Sequence, residues 1–124
     1  LHDGLISYWR LNEGGGDIAA DSGPAGFVAD TGQLRNGPTW INGQFGAGLQ
    51  FNGTQDVLIP ASSDMDINSI GVTLSAWVKL DQLPSEIAGS FSGIYDSGPD
   101  NYVLYLDKGT NELRFKATTS NGNF

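Results

Sequence analysis

From Val72 to Leu80, apolar and polar residues alternate without a break. Val72, Leu74, Ala76, Val78 and Leu80 fall on one side of an extended chain, and Thr73, Ser75, Trp77 and Lys79 on the other. The same period of two recurs in Glu112–Thr118, where Leu113, Phe115 and Ala117 alternate with Arg114, Lys116 and Thr118. That pattern predicts a strand with one buried and one wet face. Tyr102–Leu106 carries large residues at every position, which suits a strand covered on both sides. Further strands are predicted at Leu5–Leu11, Gly32–Asn36, Ala47–Asn52, Asp56–Ile59, Ser92–Tyr95 and Tyr102–Asp107. Nowhere do apolar residues keep a helical spacing for more than about one turn.

Turn chemistry agrees with the strands. There are 18 glycines in 124 residues, and Asn-Gly occurs at 36–37, 42–43, 52–53 and 121–122. Such pairs take the positive backbone torsions of tight hairpins. Asp107-Lys108-Gly109-Thr110-Asn111 is predicted to join the last two strands, and Pro84–Gly89 to be a loop with room for one helical turn. No strand is expected after Asn121-Gly122. The reading is therefore all-β, an antiparallel sandwich or barrel.

Net charge is -8, from 14 acidic and 6 basic side chains. That balance excludes a nucleic-acid partner, because phosphate neutralisation requires clustered Lys and Arg. It suits a soluble surface protein that binds calcium or neutral sugars. With no cysteine, disulfides and thiolate metal sites are excluded. No stretch approaches ~18 consecutive apolar residues, so insertion of a helix into a membrane is not expected. The chain starts at Leu1 without a signal-peptide pattern, and is read as a processed or excised segment.

Three segments carry a family resemblance when taken in order. Leu5-Ile6-Ser7-Tyr8-Trp9-Arg10-Leu11 runs into a glycine turn at Gly14-Gly15-Gly16, followed by Asp21-Ser22-Gly23. Gly43-Gln44-Phe45-Gly46-Ala47-Gly48-Leu49-Gln50-Phe51-Asn52-Gly53 precedes Asp56-Val57-Leu58-Ile59-Pro60, and the alternating strand at Val72–Leu80 follows. This succession resembles the laminin-G-like jelly roll of the concanavalin A-like lectin and glucanase superfamily. The resemblance implies one laminin-G-like β-sandwich domain over 1–124, incomplete at its C-terminus, because family domains continue through strands that close both sheets. Unpaired edges and an open apolar face would follow. Either a longer polypeptide or a partner chain would complete the sandwich.

The candidate chemistry is binding rather than catalysis. Glucanase relatives place carboxylates at alternate positions of one strand, and no Glu-x-Asp-x-x-Glu pattern is present. Glu13, Glu86 and Glu112 fall in or beside predicted turns, and the single histidine, His2, lies near the terminus. Asp64-Met65-Asp66-Ile67-Asn68 fails as an EF-hand, having Ser69 and Ser75 where glycine and glutamate are needed.

Asp96-Ser97-Gly98-Pro99-Asp100-Asn101 precedes a strand and offers oxygen ligands to a hard cation. In the related pentraxins an Asp-Asn pair at the equivalent place ligates calcium, which carries over to Asp100 and Asn101. The resemblance also places Asp21 near a calcium that ties the N-terminal strand to the sheet. The alternative for both is an Asx-turn, with the carboxylate accepting backbone N–H groups. Sugar recognition uses an aromatic face. Trp9 and Trp77 read as core, which leaves Trp40, between Pro38 and Asn42-Gly43, as the solvent-facing candidate. Expected ligand-binding residues are Trp40, Asp96, Asp100 and Asn101; expected calcium ligands are Asp21, Asp100 and Asn101. Asn52-Gly53-Thr54 is a glycosylation sequon.

The expected function is a non-catalytic extracellular, cell-surface or virion-surface module that binds glycans or proteins, with calcium in support. A structural assembly module and a glycoside-hydrolase fragment are the alternatives.

Overall fold

Gly32-Gln33-Leu34-Arg35 illustrates how this chain makes strands. Gly32 and Leu34 are buried, while Gln33 and Arg35 are exposed. The structure is a computed structural model that describes residues 4–24, 29–65, 71–87, 89, 92–98, 102–119 and 122–123. These residues divide into two compact units, Leu1–Asp66 and Ile67–Phe124. Both are built from short antiparallel strands, with single 3-10 turns at Ser63–Met65 and Pro84–Glu86. The protein is all-β in this sense. No helix among the described residues is long and apolar enough to cross a membrane.

The first unit contains β1 (Ile18–Ala19), β2 (Gly32–Arg35), β3 (Thr39–Asn42), β4 (Ala47–Gln50) and β5 (Asp56–Leu58). Strand β2 lies between β1 and β5, and β3 pairs with β4 as a hairpin. Ala19 and Leu34 form the buried apolar centre. On the outer face Arg35 sits directly opposite Asp56 and grips both carboxylate oxygens, at 2.6 and 2.7 Å. Both side chains are about half exposed, so this pair fixes register more than it stabilises. At the end of β2, Asn36 and Gly37 take φ of 60° and 65° and turn the chain out of the sheet into the hairpin.

The hairpin closes through Gly43-Gln44-Phe45-Gly46, with the Gly43 N–H donating to the Gly46 carbonyl at 2.7 Å. Gly43 is required for space: a Cβ there would lie 2.5 Å from the Ala47 carbonyl oxygen.

The second unit is one sheet in the order β6 (Gly93–Asp96), β7 (Tyr102–Asp107), β8 (Glu112–Thr119), β9 (Gly122–Asn123). The β7–β8 register runs from Tyr102 opposite Ala117 to Asp107 opposite Glu112. Their turn is the expected one, with Asp107 Oδ1 accepting the N–H groups of Gly109 and Thr110 at 2.8 and 3.0 Å. The loop at Pro84–Glu86 is held to that turn. Asn111 Oδ1 accepts the Ser85 N–H at 2.9 Å, and Lys108 Nζ donates to the carbonyls of Ile87 and Gly89.

Six of the eight predicted strands form, but the structure departs from the sequence reading in several places. Leu5–Leu11 makes no ladder beyond a single bridge between Trp9 and Asp21. Leu11 has a φ of 54°, which no strand accommodates, and the Tyr8 N–H goes to a carboxylate instead of a neighbouring strand. Val72–Leu80 forms no ladder among the described residues. Val72 and Leu74 are half-buried, but Ala76 to Leu80 are all exposed, and Trp77, read as core, is 80% exposed. A period of two is necessary for a strand; a neighbour to take its N–H and C=O groups is also needed.

The apolar face of β8 is likewise open, with Leu113 and Phe115 exposed to 61% and 48%. In β7 Tyr102 is buried and Val103 to Leu106 are half-buried, so coverage is partial. Strands β1 and β3 were not anticipated, being two and four residues long between turn signals. Strand β9 follows the turn after which none was expected, and pairs Gly122 with Thr119.

The Gly43 geometry yields a test. Gly43→Ala is expected to cost about 1–3 kcal/mol, because a backbone carbonyl cannot step aside as a side chain can. Gly48→Ala, whose Cβ would meet nothing closer than 3.4 Å, should cost much less. Urea unfolding of both variants checks the ordering, and equal costs would refute the close approach.

Candidate functional site

Trp40 and Asn42 alternate along β3 and so share one face of the hairpin, with Leu49 and Ala47 opposite them on β4. The Trp40 indole N–H donates to the Gly16 carbonyl at 2.9 Å, which fixes the ring. Gly14, Trp40, Ile41, Asn42 and Ala47 together line a cleft of about 310 Å3. Its contents are one locked aromatic ring, one amide that both donates and accepts, and glycine backbone. None of its lining residues carries a charge. Trp40 is half-buried, in line with an aromatic that keeps part of its face open.

Two carboxylates organise the N-terminal segment, one of them next to Gly14 of this cleft. Glu13 Oε1 accepts the Ala20 N–H at 2.8 Å, closing the Gly14–Gly16 turn onto β1. Asp21 does more. Its Oδ1 accepts the N–H groups of Tyr8 and Gly23 at 2.8 and 2.7 Å, and its Oδ2 accepts that of Asp30 at 3.2 Å. The Gly23 contact is the Asx-turn weighed as one reading of Asp21. Burial pushes the Asp21 carboxyl upward, but the backbone donors of Tyr8, Gly23 and Asp30 and the Ser7 hydroxyl outweigh it. The net effect holds Asp21 below the usual carboxylate range.

Asp30 is the residue that sequence reasoning missed. It is 3% exposed. Its Oδ2 accepts the hydroxyls of Ser7 and Ser62 at 3.2 and 3.1 Å, while its carbonyl accepts the Trp9 indole N–H at 2.6 Å. The available signal was Trp9 itself, since an indole withdrawn even partly from water needs an acceptor for its N–H. No periodicity marks Asp30, which sits in an irregular segment ahead of β2.

Asp96, the expected site residue of the second unit, ends β6. Its Oδ1 accepts the Gly98 N–H at 2.8 Å, where Gly98 has a φ of 104°. Ser97 closes the base of the same loop, its hydroxyl donating to the Tyr102 carbonyl at 2.8 Å and accepting the Tyr102 N–H at 3.0 Å. Beside it the rings of Tyr95 and Tyr102 stack, centroids 5.6 Å apart and planes 7° from parallel. Asp100 and Asn101 lie outside the described residues. Trp40 and Asp21 thus belong to the first unit and Asp96 to the second.

Among the described residues no three His, Cys, Asp or Glu side chains gather in a metal-holding group. At Asp21 both oxygens face amide donors, whose positive ends compete with a cation for the same lone pairs. Comparison with known protein families, with curated proteins and with solved structures finds no match to this chain.

The Asp21 geometry predicts a pH dependence. A carboxyl whose folded pKa is depressed adds stability that is complete above its unfolded pKa and is lost as pH falls through the folded one. Asp21→Asn should therefore lower stability by about 1–2 kcal/mol near neutral pH. The gap to wild type should narrow as pH falls from the ordinary carboxylate range through the depressed folded value, where the folded wild-type carboxylate takes up its proton. Thermal unfolding across that pH range measures the gap, and a gap independent of pH would contradict the assignment.

Proposed function

We propose that the chain is a non-catalytic binding module for neutral glycans, of laminin-G-like jelly-roll type, acting outside the cell or on a cell or virion surface. The observation that carries this reading is the Trp40 cleft. An indole held by its N–H bond to Gly16 offers a flat apolar face, and the C–H face of a pyranose stacks on such a surface. The Asn42 amide and the glycine backbone lie beside it to meet hydroxyl groups. A cleft of about 310 Å3 suits one sugar ring better than an extended chain. The net charge of -8 favours a neutral sugar over an acidic one.

The non-catalytic part of the reading is supported by where the glutamates sit. Glu13 accepts the Ala20 N–H, Glu86 accepts the Leu83 N–H, and Glu112 pairs with Arg114. Each has a local structural role. Calcium enters the proposal through the resemblance at Asp100 and Asn101, as a brace for the loop that starts at Asp96.

A second reading is favoured by one observation. Leu113 and Phe115 are open on β8, and a large open apolar face marks a protein contact. On that reading the chain is an assembly module, and a partner chain or further polypeptide completes the sheet packing.

A glycan array run with and without a calcium chelator, beside light scattering, separates the two. The first reading predicts binding to neutral glycans that falls at least about tenfold in Trp40→Ala, the loss of about 1.4 kcal/mol or more. Binding that ignores the chelator would remove calcium from the proposal. Absence of glycan binding, together with self-association lost in Leu113→Ser/Phe115→Ser, would replace the first reading with the second.

A further inference from the structure

The turn between β4 and β5 carries Phe51-Asn52-Gly53-Thr54, and all four residues are exposed. Asn52 Oδ1 accepts both the Thr54 N–H, at 3.0 Å, and the Thr54 hydroxyl, at 2.8 Å. Gly53 supports this geometry with a φ of 90°. The rest of the turn is pinned from outside the tripeptide. The Asn52 N–H donates to Gln55 Oε1 at 2.8 Å, and Gln55 Nε2 donates to the carbonyls of Asn36 and Gly37 at 3.2 and 2.7 Å. Asn36 Nδ2 donates to the Thr54 carbonyl at 2.7 Å. The hydrogen bonds that hold the turn use Asn52 Oδ1, the side chains of Asn36, Thr54 and Gln55, and backbone groups, and none of these bonds uses Asn52 Nδ2.

We infer that Asn52 is an acceptor for an N-linked glycan, and that Phe51 is the surface on which its first sugar rests. The sequon supplies the residue types, and the folded turn supplies the presentation. Two donors on Oδ1 draw electron density from the carboxamide and acidify its NH2 group, so that Nδ2 becomes a nucleophile as it gives up a proton to a base of the transferase. The donor is an oligosaccharide linked to a polyprenyl diphosphate, delivered by an oligosaccharyltransferase. Asn52 Nδ2 attacks the anomeric carbon, and a C–N bond forms as the C–O bond to the diphosphate breaks. The polyprenyl diphosphate leaves with the electron pair, and one amide proton passes to a base of the transferase.

Phe51, directly before Asn52, is 44% exposed. A ring attached at Nδ2 covers part of that apolar surface with its C–H face, which removes it from water in the folded state. The modification therefore stabilises the turn that joins the hairpin to β5. The inference is independent of the Trp40 cleft. It shares with the proposed function only an extracellular route, and a leader added to the chain removes that dependence.

The experiment is secretion of the chain from a eukaryotic cell behind such a leader, followed by intact mass, treatment with a peptide N-glycosidase that hydrolyses the Asn–glycan amide bond, and thermal melting. Wild type and Thr54→Ser should carry one glycan, whose enzymatic release leaves aspartate at position 52. Asn52→Gln and Thr54→Ala should be secreted at unmodified mass. The glycosylated wild type should melt above its released form. Phe51→Ser should keep the glycan and lose that difference. A wild-type chain secreted without glycan overturns the acceptor assignment. Equal melting of glycosylated and released wild type overturns the role of Phe51. Neither readout depends on Trp40, so failure here and failure of the glycan-binding reading are told apart.

Discussion

The carboxylate of Asp21 is the contact on which the first unit depends. Three backbone N–H groups from Tyr8, Gly23 and Asp30 converge on it, and these residues belong to segments that no sheet ladder joins. An extended N-terminal segment without a strand partner would leave its amides unsatisfied. Here one side chain takes the part of a missing strand. Asp30, drawn in by its N–H, then accepts the Ser7 and Ser62 hydroxyls and the Trp9 indole. The outcome is a small polar hub over a modest apolar centre of Ala19 and Leu34. Separately, Glu13 accepts the Ala20 N–H and the Trp40 indole N–H donates to the Gly16 carbonyl.

In the second unit the governing constraint is backbone pairing. Strands β6 to β9 satisfy one another through their ladders, and side chains of Asp107, Ser97 and Lys108 tie the connecting loops. Apolar coverage is thinner. Tyr102 is buried and stacked on Tyr95, whereas Leu113 and Phe115 point one face of β8 into the open. The sheet is therefore well specified along its hydrogen-bonding direction and poorly covered across its face. A face of that kind is the physical basis for the assembly reading, and a cover for it would raise stability by burying apolar area.

Strand and turn positions were legible wherever a strong alternation met strong turn chemistry. Glu112–Thr118 and the Asp107–Asn111 turn are examples, because their pairing partner is adjacent in sequence and the turn residues set the register. Val72–Leu80 has the cleanest alternation of the whole chain, yet no described strand pairs with it. Pattern specifies which residues share a face but says nothing of whether a neighbour exists. β3 was overlooked because Thr39–Asn42, running from Pro38 into Asn42-Gly43, gives too short a pattern, although the Asn-Gly pairs at 36–37 and 42–43 framed it. In the candidate cleft, Trp40 was singled out in the sequence from its setting between turns. Asp21 was found through a family resemblance, but the backbone role seen here follows from its place beside Ser22-Gly23. Asp30 was invisible, since its contacts come from Ser7, Trp9 and Ser62, none of them near in sequence.

The central claim is that the fixed face of Trp40 is where a neutral sugar binds. The most direct measurement follows the indole N–H resonances of Trp9, Trp40 and Trp77 by nuclear magnetic resonance during a titration with neutral monosaccharides and disaccharides. The Trp40 resonance should move saturably and trace a binding curve. Trp9, bonded to Asp30, should stay in place, and so should Trp77 despite its exposure. A stationary Trp40 resonance, or saturable movement confined to Trp77, would contradict the account and shift the binding surface to the second unit.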